Sequence, residues 1–466
     1  MQSRHWRQYT LSNFAFASLS AIICVAGCDR SPAVNPEGDA PKATPVAWFN
    51  SVAAERGLVC TSNSGHVDRY WFPEMAVGGG ALFDMDGDGN LDAYIVTAGG
   101  LFDPPEKRPG NRLFRNLGDG RFEDATEGSG ADDHGYGMGV ATGDYDNDGD
   151  LDLYITNLGP NVLLRNDGNG RFTDVTSEAR VADPSWSTCA AFLDYDADGD
   201  LDLFVSNYVR WTAQTEVECF GPAGQPDYCS PKNYRAPAPD TLYRNDGNGV
   251  FTEVSREAGL DRAFGNGFGV LCGDFTGDGR IDIFVANDGT VNQLWINQGD
   301  GRFIDEAISR GCAMDQAGGA KAGMGVAAGD LDDDGDLDLL VVNLRNETDS
   351  LYLNSGDYFE DRTAAAGIAA HSRPFTRFGT AFIDFDLDGR LDLYEANGRV
   401  TRGNPLFGDN PYAEPNLLFR GSADGRFVEV EPRGGTASLL FGDSRAAAFG
   451  DIDDDGGVDI LVVNRD

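Results

Sequence analysis

Basic residues are scarce in this 466-residue chain: 36 Lys and Arg stand against 76 Asp and Glu, a formal net charge of −40. So negative a surface repels phosphate, which excludes nucleic acid and anionic lipid headgroups as natural partners. Long apolar runs are also missing, because after Gly27 nothing approaches the roughly 18 apolar residues that a spanning helix needs. No nucleophile elbow, P-loop, dinucleotide fingerprint or zinc-binding helix motif is present, so no familiar signature marks an enzyme. What the chain does have is 61 glycines with 41% hydrophobic and 11% aromatic residues. That is enough to bury a core in a turn-rich architecture and argues against wholesale disorder. Length alone suggests about three domains, a prior that gives way when an internal repeat is found.

The first 27 residues read as a secretory signal: Arg4 and Arg7 precede a mostly apolar stretch from Leu11 to Gly27. Its end, Val25-Ala26-Gly27-Cys28, is similar to the lipobox of bacterial lipoproteins, and that resemblance implies a lipid on Cys28. An ordinary cleaved signal or a short membrane anchor is the duller alternative. Residues 28–45, rich in Pro, Ala and Gly without periodicity, read as a flexible tether, and the folded region spans 46–466. The expected location is the cell envelope, on the periplasmic side or the cell surface, with the lipid anchor as the sole membrane contact. Export implies an oxidising compartment. Six cysteines remain after Cys24 and Cys28, and sequence cannot choose among their pairings. One local staple stands out: Cys219 and Cys229, close together in the Pro/Gly-rich insert 208–240.

The dominant feature is a nonapeptide, D-x-D-x-D-G-x-x-D, present seven times at intervals of roughly 50 to 80 residues. Its acidic positions are Asp84, Asp86, Asp88 and Asp92; Asp144, Asp146, Asp148 and Asp152; Asp194, Asp196, Asp198 and Asp202; Asp274, Asp278 and Asp282; Asp330, Asp332, Asp334 and Asp338; Asp384, Asp386, Asp388 and Asp392; and Asp451, Asp453, Asp455 and Asp459. Carboxylates crowded on one short loop repel each other by about 4 kcal/mol per pair at 4 Å and an effective dielectric near 20. A hard divalent cation with oxygen ligands removes that penalty, which makes calcium the expected cofactor, at up to seven sites. Alternation turns positions one, three and five inward, the glycine at position six permits the sharp turn, position seven can offer its carbonyl, and position nine adds a carboxylate. A single such loop reads equally well as a solvated Asp-Gly turn; seven in phase favour the cation. The fourth loop carries Thr276 in place of its second aspartate, so the Asp274 site is expected to be weakest.

Short β-branched and aromatic runs flank each loop, such as GVATGD before and LDLYITN after the Asp144 copy. They are apolar on nearly every residue, as in strands covered on both faces. A second recurring run, for example NVLLRNDGNGRFTDVT from Asn161, reads as a hairpin with a tight Asn/Asp-Gly turn. One repeat is thus a four-strand meander whose cation loop joins the first two strands. The fold class is all-β: a seven-bladed propeller. The segment Ala47 to Leu58 matches the Phe-strand and following turn of other repeats, so an N-terminal strand is expected to close the ring as the outermost strand of blade seven, leaving one strand of that blade unaccounted for.

These residues resemble the FG-GAP or VCBS repeats of integrin α-subunit propellers, and most closely the bacterial cartilage-acidic-protein-like group with the ASPIC/UnbV label. The resemblance rests also on Phe72-Pro73-Glu74-Met75, on Cys219-Phe220-Gly221-Pro222 with Asp227-Tyr228-Cys229, and on Ala286-Asn287-Asp288. It implies calcium on positions one, three, five and nine of each loop. The family pattern usually continues into a C-terminal ASPIC/UnbV domain, for which no segment of this sequence is assigned.

A meander places the cation loops on one face and the connections between hairpins and blades on the other. That second face is expected to gather the insert, the loop Gly398 to Pro415, His66, His134 and His371, Arg69, Arg373, Arg377, Arg399 and Arg402, and the aromatics Tyr70, Trp71, Trp211, Tyr234 and Phe375. Long varied loops with aromatics and arginines suit binding. The expected function is therefore a non-enzymatic, calcium-stabilised propeller that binds a protein or glycan at the cell envelope. The alternatives are an enzyme acting on extracellular polysaccharide through the three histidines, and a scaffold subunit of a larger assembly. An Asn thirteen residues after most first aspartates (Asn157, Asn207, Asn287, Asn343, Asn397, Asn464) is assigned only the end of a strand.

Overall fold

The computed structural model describes residues 47–67, 69–262, 264–403 and 410–466. The signal, Cys28 and the tether lie outside the described residues. Each of the first six repeats folds into one four-stranded antiparallel sheet. Blade one consists of Gly79–Phe83, Asp92–Val96, Arg112–Asn116 and Phe122–Asp124. Blade two follows the same plan with Gly137–Gly143, Asp152–Asn157, Val162–Asn166 and Phe172–Asp174. Blades three to six open with Ser187–Leu193, Gly267–Gly273, Gly323–Gly329 and Arg377–Ile383. In every repeat the nonapeptide joins the first strand to the second, so that Gly143 pairs with Asp152 in blade two and Gly450 with Asp459 in the last repeat.

The second strands explain the continuous apolar runs. In blades one to six every residue of this strand is buried. Each lies between sheets on both sides, and the core divides accordingly into clusters between adjacent blades, such as Tyr154, Leu163, Phe192 and Leu203 between blades two and three. The first strands approach one another backbone to backbone. A Cβ on Gly325 would stand 1.8 Å from the Phe378 carbonyl oxygen, and one on Gly269 2.1 Å from that of Met324. Only glycine permits that approach. The asparagines assigned to strand ends do close second strands, as at Asn157 and Asn207.

Two expectations are corrected. The described residues form six complete blades, not seven: the last repeat forms a two-stranded sheet, Ser444–Gly450 with Asp459–Asn464, packed between the first strands of blades six and one. Nor does an N-terminal strand complete it. Among the described residues the N-terminal segment makes only isolated parallel bridges, Phe49 with Thr436 and Ser62 with Arg465. The reason is geometric, because a fourth strand pairs with a third, and this sheet has none.

Candidate functional site

All seven nonapeptides fold through the same hydrogen bonds. The first aspartate accepts the backbone N–H of position five through Oδ1 and that of position six through Oδ2: in the second loop, Asp148 at 3.1 Å and Gly149 at 3.0 Å on Asp144. Position five in turn accepts from position seven, as Asp148 does from Asp150 at 3.0 Å. Position nine accepts the N–H of position two through Oδ2, 3.1 Å from Tyr145 to Asp152. In the six four-stranded blades its Oδ1 also accepts the last N–H of the third strand, 2.7 Å from Asn166 in blade two. That asparagine also donates its amide to the preceding loop, Asn166 to the Met85 carbonyl at 2.9 Å and Asn245 to that of Tyr145 at 2.8 Å. The asparagine that ends the third strand in blades one to five thus latches neighbouring blades, a role that sequence reading missed. Its signal was the asparagine recurring before the turn of every such hairpin run but the sixth, where Gly421 stands.

Positions one, three and nine converge. Their carboxylate oxygens lie within 4.8 Å of one another in the groups Asp84-Asp86-Asp92, Asp144-Asp146-Asp152, Asp194-Asp196-Asp202, Asp330-Asp332-Asp338 and Asp384-Asp386-Asp392. Position five, expected as a fourth ligand, is not part of these groups. Position three is the informative one. The Oδ1 atoms of Asp86, Asp146, Asp386 and Asp453 are buried without any hydrogen-bond partner. The other oxygen meets arginine: Arg115 on Asp86 at 2.8 Å, Arg420 on Asp386 at 2.7 Å and Arg56 on Asp453 at 3.1 Å. A buried carboxylate oxygen without a donor is costly unless a cation faces it. An all-carboxylate set with one orphaned oxygen aimed among its neighbours therefore fits a hard divalent ion. In the fourth loop Thr276 Oγ1 lies 3.5 Å from both Asp274 and Asp282, so a hydroxyl replaces the third carboxylate.

Burial sets the charge state of position nine. Desolvation raises Asp152 and Asp202 to about 8, Asp282, Asp338 and Asp392 to about 7, and Asp92 and Asp459 to about 6, against the lowering effect of their backbone hydrogen bonds. Neighbouring aspartates push in the same direction as burial. A bound cation would reverse this balance by favouring the ionised form.

Sequence reading also missed the strain in these loops. Position four is left-handed in all seven, with φ of 72° at Gly87 and 69° at Gly277 but also 60° at Ala197 and 56° at Leu387. Side chains rarely adopt this conformation.

On the opposite face an aromatic plug crosses the top of the ring. Phe72 stacks on Tyr234 with ring centres 4.7 Å apart and meets Trp186 at 5.2 Å. The insert joins the plug through Tyr208 and Tyr228 and is stapled by the Cys219–Cys229 disulfide, Cα atoms 5.2 Å apart. Glu74 of the Phe72–Met75 turn is buried beneath it, which raises its pKa, while hydrogen bonds from His66 at 2.8 Å and Tyr228 at 3.0 Å act the other way.

The residues expected on this face separate into two groups. Arg377 and Arg399 are buried, on Asp349 at 2.7 Å and Glu414 at 2.8 Å, and Phe375 is buried too. Those three hold the fold rather than offering contacts. Around the plug, Arg69 lies 4.2 Å over the Trp71 ring, Trp71 meets Phe102 at 4.7 Å, and Arg402 donates to the Tyr70 hydroxyl. Trp211 stands beside Trp71 at 6.4 Å. Phe102 remains 58% exposed, and Arg69 and Arg402 are exposed. The three histidines are not brought together. His66 pairs with Glu74, His134 with Asp132 at 3.5 Å, and His371 with Glu429 at 2.6 Å.

A ring of antiparallel meander blades with an acidic loop repeated in each defines the class, and the chain belongs to the FG-GAP-like repeat family, whose model matches residues 84–155, 144–205, 224–285, 274–341 and 330–395. Four of the five matches begin at the first aspartate of a nonapeptide and run into the next blade, and the other begins within the insert. Cartilage acidic protein 1 of Homo sapiens is 29% identical over 212 residues, covering 45% of this chain and 30% of that protein. Its Xenopus tropicalis counterpart is 30% identical over 217 residues, covering 46% and 31%. The chain thus matches under a third of these relatives' length. Among solved structures it is similar to a lectin of Agrocybe aegerita that recognises non-reducing terminal N-acetylglucosamine: 16% identity, TM-score 0.44, covering 83% of this chain and 85% of that one. The BP39L lectin of Burkholderia pseudomallei aligns at 12% identity and TM-score 0.42, over 85% and 97%. Among the described residues no helix is long and apolar enough to cross a membrane.

Proposed function

We propose that this protein is an exported, calcium-stabilised propeller that binds a protein or glycan partner at the cell envelope through the rim of its non-repeating face. Calcium is supported by the orphaned position-three oxygens within all-oxygen donor sets, and export by the Cys219–Cys229 disulfide. Lipid on Cys28 would tether the propeller to the membrane with the 28–45 segment as its leash.

The observation that carries the binding reading is the rim of Tyr70, Trp71, Phe102 and Trp211, interleaved with Arg69 and Arg402. Aromatic rings backed by arginine supply large contact area at low conformational cost and stack on sugar or peptide. Catalysis by the three histidines is disfavoured, since each is engaged by a separate carboxylate. The test is capture from envelope extract, and on a glycan array, in calcium buffer with the wild-type propeller and a Trp71→Ala, Arg402→Ala variant. Binding that is lost in the variant, with an unchanged melting temperature, supports the reading. Equal capture by both proteins refutes it.

A further inference from the structure

The penultimate residue of the third strand divides the acidic loops into two kinds. It is arginine in blades one, two, three and six, as Arg115, Arg165, Arg244 and Arg420, but Ile296 in blade four and Leu353 in blade five. The four arginines take two directions. Arg115 reaches the position-three carboxylate of its own blade's loop, Asp86 at 2.8 Å, and Arg420 reaches Asp386 at 2.7 Å. Arg165 and Arg244 turn instead to the hairpin aspartates, Asp167 at 2.6 Å and Asp246 at 2.8 Å. The residue two places on decides between them. Asp167 and Asp246 offer a carboxylate that Thr173 and Thr252 also hold in place, whereas Leu117 and Ser422 offer none and leave the guanidinium to the loop. The last repeat arrives at the first arrangement by another route, since Arg56 of the N-terminal segment lies 3.1 Å from Asp453. Three consecutive loops around the ring, in blade six, the last repeat and blade one, thus carry a guanidinium on position three.

That guanidinium is not what aims the ligand oxygen. Asp146 Oδ1 is buried without a hydrogen-bond partner just as Asp86 Oδ1 is, although Arg165 is engaged on Asp167. What the arginine changes is charge. In an empty loop it relieves part of the repulsion among carboxylates, and in a filled loop it repels the divalent ion. Both effects lower the affinity. Solvent weakens them, because the Arg115 side chain is 36% exposed, so the difference expected is about tenfold rather than the far larger factor that unscreened charges would give.

We infer that Arg115, Arg420 and Arg56 are counter-charges that set calcium affinity, so that the loops of blade one, blade six and the last repeat bind the ion about tenfold more weakly than those of blades two, three and five. Blade five, with Leu353 in place of arginine and Asp330, Asp332 and Asp338 converging, should bind most tightly. The inference rests on the calcium reading above and adds to it an order of filling. As calcium falls, the arc where the last repeat packs between blades six and one empties first and is the arc that its own arginines keep charge-balanced.

The test is hydrogen exchange of the whole protein, stripped with chelator and then equilibrated across a series of buffered free calcium concentrations. Loops 144–152 and 330–338 should gain protection at about tenfold lower calcium than loop 84–92. Arg115→Leu should bring 84–92 down to the lower midpoint and leave 330–338 unmoved. Asp167→Leu, which releases Arg165 toward Asp146, should raise the midpoint of 144–152 about tenfold, and adding Arg165→Leu should restore it. Arg115 and Asp167 are 36% and 37% exposed, so these changes spare the core. Equal midpoints in the wild-type loops, a weaker 84–92 site in Arg115→Leu, or a raised midpoint that Arg165→Leu does not restore would overturn the inference and leave the calcium reading standing. Protection that calcium alters in no loop would overturn both.

Discussion

On one face of the molecule seven loops repeat the same handful of hydrogen bonds; the other carries a stapled insert, 208–240, that belongs to a single blade. The repeated face is built by local rules. A nonapeptide satisfies its own backbone through positions one, five and nine, whatever blade it belongs to. The opposite face is built by long-range packing, in which Arg465 donates to the Glu74 carbonyl across 391 residues and Arg445 to that of Met75 across 370. Repetition suits a stabilising element and irregularity suits recognition. If the division holds, perturbing one face should leave the other's behaviour intact.

Removing divalent ions should have the largest effect. With several sites unloading together, the melting temperature should fall by about 10 °C or more in chelator and return on adding calcium, as followed by differential scanning fluorimetry. An unmoved midpoint would break the comparison, since the repeated face would then be only a set of solvated turns. Second is the staple on the irregular face. A Cys219→Ala, Cys229→Ala protein should lose about 2–3 kcal/mol, as expected for a loop of this length. Limited proteolysis should then cut within 208–240 while the calcium response persists.

Blade six offers a sharper case. Its second strand carries Glu395 where the other blades have Ile95, Ile155, Val205, Val285 and Val341. Both carboxylate oxygens are buried without a partner. Burial raises its pKa well above the ordinary value and the nearby Asp349 raises it further, with Arg377 opposing. The folded state therefore binds the proton more tightly than the unfolded one, so stability declines as pH rises from the unfolded carboxyl value toward the folded one. Glu395→Val should stabilise by about 1–3 kcal/mol, more at pH 8 than at pH 5, as read from urea unfolding at the two pH values. Smallest is Leu387→Gly. Relieving a left-handed leucine should gain about 1 kcal/mol without altering the calcium response, which calorimetry with and without the ion would check.

The repeat, its acidic loops, the strand character of the flanks and the local disulfide were all legible in the sequence, because each is specified by residues close together in the chain. The left-handed fourth position was not, since Asn147, Ala197, Asp333 and Leu387 share no side-chain chemistry that announces it. The fate of the arginines was equally hidden. Arg377 and Arg402 look alike in sequence, yet one is sealed against Asp349 and the other is exposed beside Tyr70. The repeat count also pointed to a seventh blade, which the structure corrects to a hairpin.

By itself the sequence determined the beat: which residues turn, which alternate, and where acidic side chains crowd within nine positions, because backbone sterics and electrostatic repulsion act over that range. Tertiary structure alone decided which carboxylate oxygens are left without donors, and which aromatics form a buried plug and which a half-buried rim. Those outcomes depend on segments hundreds of residues apart meeting in space, and only packing can choose among the ways they meet.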